Sequence, residues 1–478
     1  MQNDLPRQFA HSTRGLVIAP AGCGKTHLIA ESVSHCEGRQ LVLTHTHAGV
    51  RAILDHLKRQ GVPSAKYRVT TIDGFALRYA HAFSSLSGWN DPQPRGDAWA
   101  QLRPAAVDAL RRSAVKSVIR SSYAGLYVDE YQDCTRGQHQ LILALAQVLP
   151  TRVVGDPLQS VFWKLNSREQ FDWRTILDHY TLIDEISTPH RWRDRNQQLG
   201  EWLMEVRRIL LEGRPLDLRG APISWETDVG RQNQLAVCRT MLRHSEHSLL
   251  ALREWGNQCH DLARSLNGAF HGMETVECKH LHEWAQRIET TTGTARVCEI
   301  LGFAALCLAR LPTALKGWAV AFGAGRTPSA RLPQYLTAIH ALTSVIENDD
   351  VSLIDRAMDA LEHVDSRVLV ARRELWREMR RSLRECHRAG GSSIADTAWH
   401  VRNRSRLIGR RVERRCLSTT LLVKGLQFDH VAILNAVELA DAENLYVALT
   451  RGSRSLTLLS ASSILQRARP YFTAVKGN

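Results

Sequence analysis

Ten cysteines run from Cys23 to Cys416, and no two of them are spaced C-x-x-C. That spacing excludes zinc ribbons and argues against a disulfide scaffold, and it fits a reducing compartment. No uninterrupted apolar run reaches the roughly 18 residues a membrane span needs. The first residues carry no apolar segment of the secretory kind. These absences predict a cytoplasmic protein with no membrane partner. Internal repeats and low-complexity linkers are also missing. Acid is in short supply: 48 Asp plus Glu stand against 62 Lys plus Arg, a net charge of +14, with a pI near 9.6. Such a balance favours a polyanionic partner, nucleic acid first, although many basic proteins bind none.

What is present begins at residue 16. The apolar run Leu16-Val17-Ile18 leads directly into Ala19-Pro20-Ala21-Gly22-Cys23-Gly24-Lys25-Thr26. A strand, a glycine-bearing loop and a helix start in that order form a phosphate cradle. Loop N–H groups point inward at phosphate oxygens, and the helix N-terminus offers more of them. Gly22 and Gly24 allow close backbone approach. Lys25 is placed to neutralise the β- and γ-phosphates, and the Thr26 hydroxyl to ligate Mg²⁺. Ala19 stands where the strict pattern has Gly. The expected ligands are therefore ATP and Mg²⁺.

A triphosphate cradle requires a carboxylate for the metal on another strand. Val128-Asp129-Glu130-Tyr131-Gln132-Asp133 supplies it. Asp129 is placed to hold Mg²⁺, and Glu130 to orient or deprotonate the attacking water. Val154-Gly155-Asp156-Pro157-Leu158-Gln159-Ser160 ends the next strand, where Gln159 either senses the γ-phosphate or belongs to a polar turn.

The 478 residues allow roughly two to four domains. Strand-like and helix-like segments alternate over residues 1–190, which predicts a parallel α/β sheet. Residues 82–122 interrupt it as a short insertion. Alternation resumes with strands expected at Pro222–Thr227, Ser248–Arg253, Arg415–Thr419 and His430–Asn435. Residues 276–404 read as helical, with Leu375, Met379 and Leu383 recurring at i, i+4, i+8. A second α/β domain, 191–275 plus 405–478, is thus split by a helical insertion.

The phosphate loop, Asp-Glu-Tyr-Gln-Asp and Gly-Asp-Pro-Leu-Gln-Ser together resemble motifs I, II and III of the superfamily 1A helicases of the UvrD/Rep/PcrA type. That resemblance implies two RecA-like parallel-sheet domains, each with a mainly helical insertion, and an ATP-driven translocase of 3′-to-5′ polarity acting on single-stranded and tailed duplex DNA. Further motifs can be matched residue by residue. Thr44 and His45 in Leu43-Thr44-His45-Thr46-His47 resemble motif Ia, a grip on the DNA backbone. Thr71 in Thr71-Ile72-Asp73 resembles motif Ib, with its aromatic and His replaced. Thr188-Pro189-His190-Arg191 resembles motif IV, which implies that Arg191 reaches the γ-phosphate and His190 takes the place of an adenine-stacking Tyr. Val423-Lys424-Gly425-Leu426-Gln427-Phe428 resembles the end of motif V, with Gln427 in place of a Glu at the nucleotide. Asn444–Arg451 resembles motif VI and makes Arg451 the second γ-phosphate arginine. Gln8, or alternatively Gln2, stands for the adenine-reading Gln.

Phe162 and Trp163 suit a base-stacking platform, or else core packing. Seven arginines between Arg402 and Arg415 suit duplex phosphates, or equally a solvated surface. The compact size resembles the helicase subunit of Gabija antiphage systems, which implies a nuclease partner. A nucleic-acid-gated ATPase that senses or regulates without processive unwinding is the alternative.

Overall fold

The computed structural model describes residues 4–94, 96–162, 171–275, 278–311, 313–330, 332–391, 393–408, 412–439 and 441–465. Two six-stranded sheets organise these residues. The first holds β1 (Arg14–Ile18), β2 (Gln40–Thr44), β3 (Tyr67–Thr71), β4 (Gly125–Val128), β5 (Thr151–Gly155) and β6 (Thr181–Glu185). Their order is β3-β2-β4-β5-β1-β6, all parallel. A two-residue strand, β7 (Leu216–Asp217), lies outside both sheets. The second sheet holds β8 (Ser224–Glu226), β9 (Leu249–Leu252) and β10 (His271–Gly272). It is completed, after two-residue strands β11 (Leu308–Ala309) and β12 (Leu369–Val370), by β13 (Arg415–Ser418), β14 (Phe428–Ile433) and β15 (Gly452–Leu459). Its order is β10-β13-β9-β14-β15-β8, again all parallel. β11 pairs with β12, and β7 with β16 (Ile464–Leu465), both antiparallel. The class is α/β, as the sequence predicts, and is consistent with two RecA-like domains.

Alternation along each strand divides the core between two faces. Leu41 and Leu43 pack with Leu126, Val128 and Val153 on one side of the first sheet. Val42 packs with Val17, Tyr127 and Val154 on the other. Covering helices on both faces make the central strands near-continuous apolar runs. The second sheet repeats this, with Leu250, Leu252, Val431 and Ile433 on one face and Leu249, Ala251, Ala432 and Leu459 on the other.

The interruption at 82–122 contains helices Ala98–Arg111 and Ser113–Ser122. Their Leu102, Ala106, Leu110, Val115 and Ile119 join the same core as Leu41 and Leu126. The segment is therefore a layer of the first domain, not an appendage. Asp73 ties it down: Arg103 forks onto its carboxylate at 2.9 and 3.0 Å, and Gln138 donates to it at 3.1 Å. Seven helices are described between Lys279 and Ile408, around a separate core. On the helix Arg373–Arg388, Leu375, Met379 and Leu383 are fully buried, as their spacing predicts.

Three strands of the two six-stranded sheets escape the sequence reading. β6 is an edge strand whose pattern is mostly exposed. β10 has two residues. β15 opens on Gly452-Ser453-Arg454-Ser455, which hides an eight-residue strand behind glycine and polar side chains. Expected boundaries also move: β14 starts at Phe428 rather than His430, and β8 covers only Ser224–Glu226.

Candidate active site

The loop 19–24 is shaped by two left-handed glycines, Gly22 at φ +76° and Gly24 at φ +91°. Gly24 is the N-cap of the helix Lys25–His35. Ala19, Pro20, Ala21 and Cys23 are buried beneath the loop, and Thr26 is half-buried. Burial pushes the Cys23 thiol up to about 12, so it packs as an inert small side chain.

Gly22 also marks a close approach. A Cβ there meets Trp192 at 2.6 Å and Arg191 at 2.9 Å, both beyond the first domain's last strand. Gly425 has a similar φ of +78° with nothing within 4 Å of an added Cβ. Gly425→Ala therefore carries only the backbone penalty, on the order of 1–2 kcal/mol. Gly22→Ala adds a clash of roughly 1–3 kcal/mol. Thermal melts of the two variants side by side are expected to show the larger loss at Gly22.

Lys25 Nζ lies 3.0 Å from Glu130 Oε1. Glu130 adopts φ +54°, a left-handed conformation uncommon for a non-glycine residue. Strain of this kind concentrates at functional sites. Gln132 Nε2 donates to Glu130 Oε2, while its Oε1 accepts from the Asp156 N–H at 3.0 Å. Burial opposes the Glu130 carboxylate, but Lys25 and Lys424 outweigh it and hold Glu130 well below the usual range. Its neighbour behaves oppositely. Burial and then the Glu130 charge push Asp129 up to about 7.

Asp129 Oδ1 is buried with no hydrogen-bond partner among the described residues. A buried, orphaned carboxylate oxygen fits a hard divalent cation. Mg²⁺ takes oxygen ligands and supplies charge neutralisation where a carboxylate would otherwise stay protonated. Thr26 and Asp129 are the residues that would hold it.

The second domain closes over this cradle. The Arg191 N–H donates to Gly22 O at 3.0 Å, and Arg191 Nη1 to Thr450 O at 2.6 Å. Arg451 is buried, donating to Val447 O, Leu426 O and Thr450 Oγ1 at 2.8–3.0 Å. Burial, and then Arg191, lower it to about 9. Gln159 is buried, and its amide donates to Asp156 Oδ2 at 3.0 Å. Arg207 pairs with Asp156 at 3.2 Å and with Glu185 at 2.6 Å. His190 is exposed, with its ring 3.6 Å from the Cβ position of Gly24. Gln8 and Gln427 are both exposed, Gln8 on the helix Leu5–His11; Gln2 lies outside the described residues.

Lys424, within the run Val423–Phe428, is a further site residue that its sequence motif does not single out. Lys424 Nζ lies 2.5 Å from both oxygens of Asp133, donates to Gln159 O, and sits 5.1 Å from the centre of the Phe162 ring. One ammonium thus touches the ends of β4 and β5 from the opposite domain. A charged residue beside Gly425 was the only signal in the sequence.

Of the residues assigned to nucleic acid, Thr44 and Thr71 are register partners on β2 and β3, His45 follows Thr44, and Phe162 lies against Lys424, whose charge acts on His45. Thr44 and Thr71 are buried, and the Thr71 hydroxyl accepts from the Gly74 N–H to cap the helix Ile72–Ala82. His45 is lowered to about 4 by burial and then Lys424, which leaves its imidazole neutral at physiological pH. Phe162 is half-buried; Trp163 lies outside the described residues. In the arginine run, Arg410 and Arg411 also lie outside them. Arg402 is buried against Glu374, Glu378 and Thr275 O, and Arg404 pairs with Glu385. Arg402 is thus engaged within the protein rather than displayed for phosphates, while Arg404 stays partly exposed beside its partner.

Comparison with known proteins adds an independent view. Residues 2–163 match the family model described as AAA domain. Gabija protein GajB of Bacillus cereus (strain VD045) is 37% identical over 71 residues, 14% of this chain and 14% of that protein. The match thus spans about a seventh of that relative. Two structures of Arterivirus nonstructural protein 10 (helicase), with and without DNA, align over 52% of this chain and 49% of theirs. They share 14% identity at a TM-score of 0.26, too low to bear on the arrangement. The matched family and the geometry of the cradle make the first domain a P-loop nucleotide-binding domain. No helix among the described residues is long and apolar enough to cross a membrane.

Proposed function

We propose that the protein is an ATP-dependent DNA translocase or helicase of the UvrD type, moving 3′-to-5′ along a single strand. The observation that carries this reading is the cross-cleft arrangement. Lys25 opens the helix after β1, and Asp129 and Glu130 follow β4, while Arg191, Arg451 and Lys424 reach toward them from the second domain. ATP held in the cradle places its γ-phosphate between the two sets. Glu130 holds the attacking water, and the arginines stabilise charge gathering on the transferred phosphoryl oxygens. Once phosphate leaves, the attraction across the cleft falls. ATP binds the closed state better than the open one, and that difference drives the cycle.

Lys424 joins this cycle to the nucleic acid. It contacts Asp133 and Gln159 O on one side and Phe162 on the other, so a base stacked on Phe162 is felt at the motif that reads the γ-phosphate. Phe162→Ala is expected to weaken single-strand binding by about 1–3 kcal/mol, read as a roughly 5- to 150-fold rise in Kd by fluorescence anisotropy. Unchanged affinity removes Phe162 from the strand path.

ATP hydrolysis measured with single-stranded DNA, RNA and tailed duplexes side by side tests the main reading, together with single-turnover separation of a 3′-tailed duplex. The 71-residue similarity to Gabija protein GajB favours a second reading, a nucleic-acid-gated ATPase that regulates a partner nuclease. Stimulated hydrolysis without strand separation selects the second.

A further inference from the structure

The second sheet carries a histidine cluster that the nucleotide chemistry does not use. His244 ends the short turn Leu242–His244, and His247 follows it in the connection to β9. The His247 N–H donates to His244 O at 2.9 Å, which fixes the two rings three residues apart on one turn. His430 stands on β14, in register with Leu249 of β9 and Ser455 of β15. One ligand-capable atom from each ring lies within 4.8 Å of the other two.

The hydrogen bonding prepares these rings for a cation. His430 Nδ1 lies 2.7 Å from Ser455 Oγ, and its Nε2 lies 3.0 Å from His247 Nδ1. A proton on Nδ1 directed at the serine leaves the Nε2 lone pair facing His247. Fixing one ring nitrogen this way is how a protein orients an imidazole ligand. Two imidazole nitrogens at 3.0 Å either share one proton or share a metal. Zn–N bonds of about 2.0–2.1 Å separate tetrahedral ligand atoms by roughly 3.3 Å, close to the spacing already present. The third ring, His244, is exposed and stacks on His430 at 4.1 Å with 18° between the planes. Ligation by all three needs that ring to tilt out of the stack, which its exposure permits.

The charges nearest the cluster are Asp429 and the two arginines paired with it. Asp429 accepts from Ser248 at 2.7 Å and pairs with Arg195 at 2.5 Å and Arg454 at 3.1 Å. One carboxylate is thus shared by two arginines and is not available as a ligand, so imidazole nitrogens alone must hold an ion there. Three imidazole nitrogen donors without a free carboxylate select a borderline ion such as Zn²⁺ over Mg²⁺ or Ca²⁺.

We propose that His244, His247 and His430 form a binding site for one Zn²⁺-class ion, with a fourth coordination position open to solvent. The ion would clamp the 244–247 turn to β14 and so brace the domain that carries Arg451.

The test uses the full chain, purified, stripped with chelator and titrated with Co²⁺ as a spectroscopic probe in excess Mg²⁺. One equivalent is expected to give visible bands of a nitrogen-ligated site, displaced by Zn²⁺ but not by Mg²⁺. His244→Ala, on an exposed ring, is expected to weaken binding at least tenfold with an unchanged melting curve. His247→Asn is expected to do the same. Binding that survives both variants unchanged, bands typical of thiolate ligation, or no stoichiometric binding overturns the proposal. X-ray absorption on the Zn²⁺ form is expected to count imidazole nitrogens only.

Discussion

Replacing Lys25 by Ala is expected to lower nucleic-acid-stimulated ATP hydrolysis by at least about 10²–10³-fold, the scale of removing one preorganised charge from a water-excluded site. Lys25 is nearly buried and lies 3.0 Å from Glu130. Before nucleotide arrives, it holds the Glu130 carboxylate ionised against burial. On the proposed function, the same ammonium faces the β- and γ-phosphates once nucleotide arrives. The variant loses both functions: the phosphates lose their counter-charge, and the Glu130 pKa rises towards the range where it no longer serves as a base. Lys25→Arg is expected to restore little, because a planar guanidinium does not fit a point-charge socket. Steady-state phosphate release measures the rate, and a melting curve checks that the fold survives. Hydrolysis persisting in Lys25→Ala removes residues 19–26 from the proposed site.

Lys424→Ala is expected to destabilise the protein by about 3 kcal/mol at pH 8, the low end for stripping one partner from a buried ion pair. Asp133 is left facing a dry cleft. Burial already pushes Asp133 up to about 6 even with Lys424 beside it. A carboxyl whose folded pKa stands above its unfolded value near 3.8 binds protons better when folded. Its contribution to stability therefore falls as pH rises from about 4 to about 6. Without Lys424 that folded pKa climbs further, and the loss continues above pH 6. The deficit against wild type is thus expected to be small at pH 5 and to widen toward pH 8. Thermal melts at the two pH values check it; a deficit independent of pH assigns the effect to lost packing instead. Lys424→Arg, which keeps the charge, is expected to recover part of the stability.

Much of the nucleotide half was legible because its chemistry is local. A phosphate cradle is eight consecutive residues, and Asp129-Glu130 follow their strand without a gap. The α/β class followed from apolar runs such as Gln40–Thr44, which are buried on both faces. What the sequence hid is long-range. The Lys424 bond to Asp133 joins residues 291 positions apart, and no periodicity announces it. Arg207 reads as one more charge on an amphipathic helix, yet it is buried against Asp156. The run Arg402–Arg415 reads as a basic patch; the carboxylates that absorb Arg402 lie on another helix. β15 was missed because its first residues are polar while its pairing partners supply the apolar surroundings.

Arg191 touches both halves of the molecule within one residue. Its backbone N–H holds the loop at Gly22 O, and its guanidinium holds Thr450 O at the end of the helix Ala442–Leu449. The loop and that helix end are therefore connected through a single side chain, with no slack of several residues between them. On the proposed function, a displacement of the loop by an incoming phosphate becomes a pull on residue 450, and Arg451 is next along the chain. Timing then needs no distant relay: the two arginines are geared to one another, and the loop turns the gear.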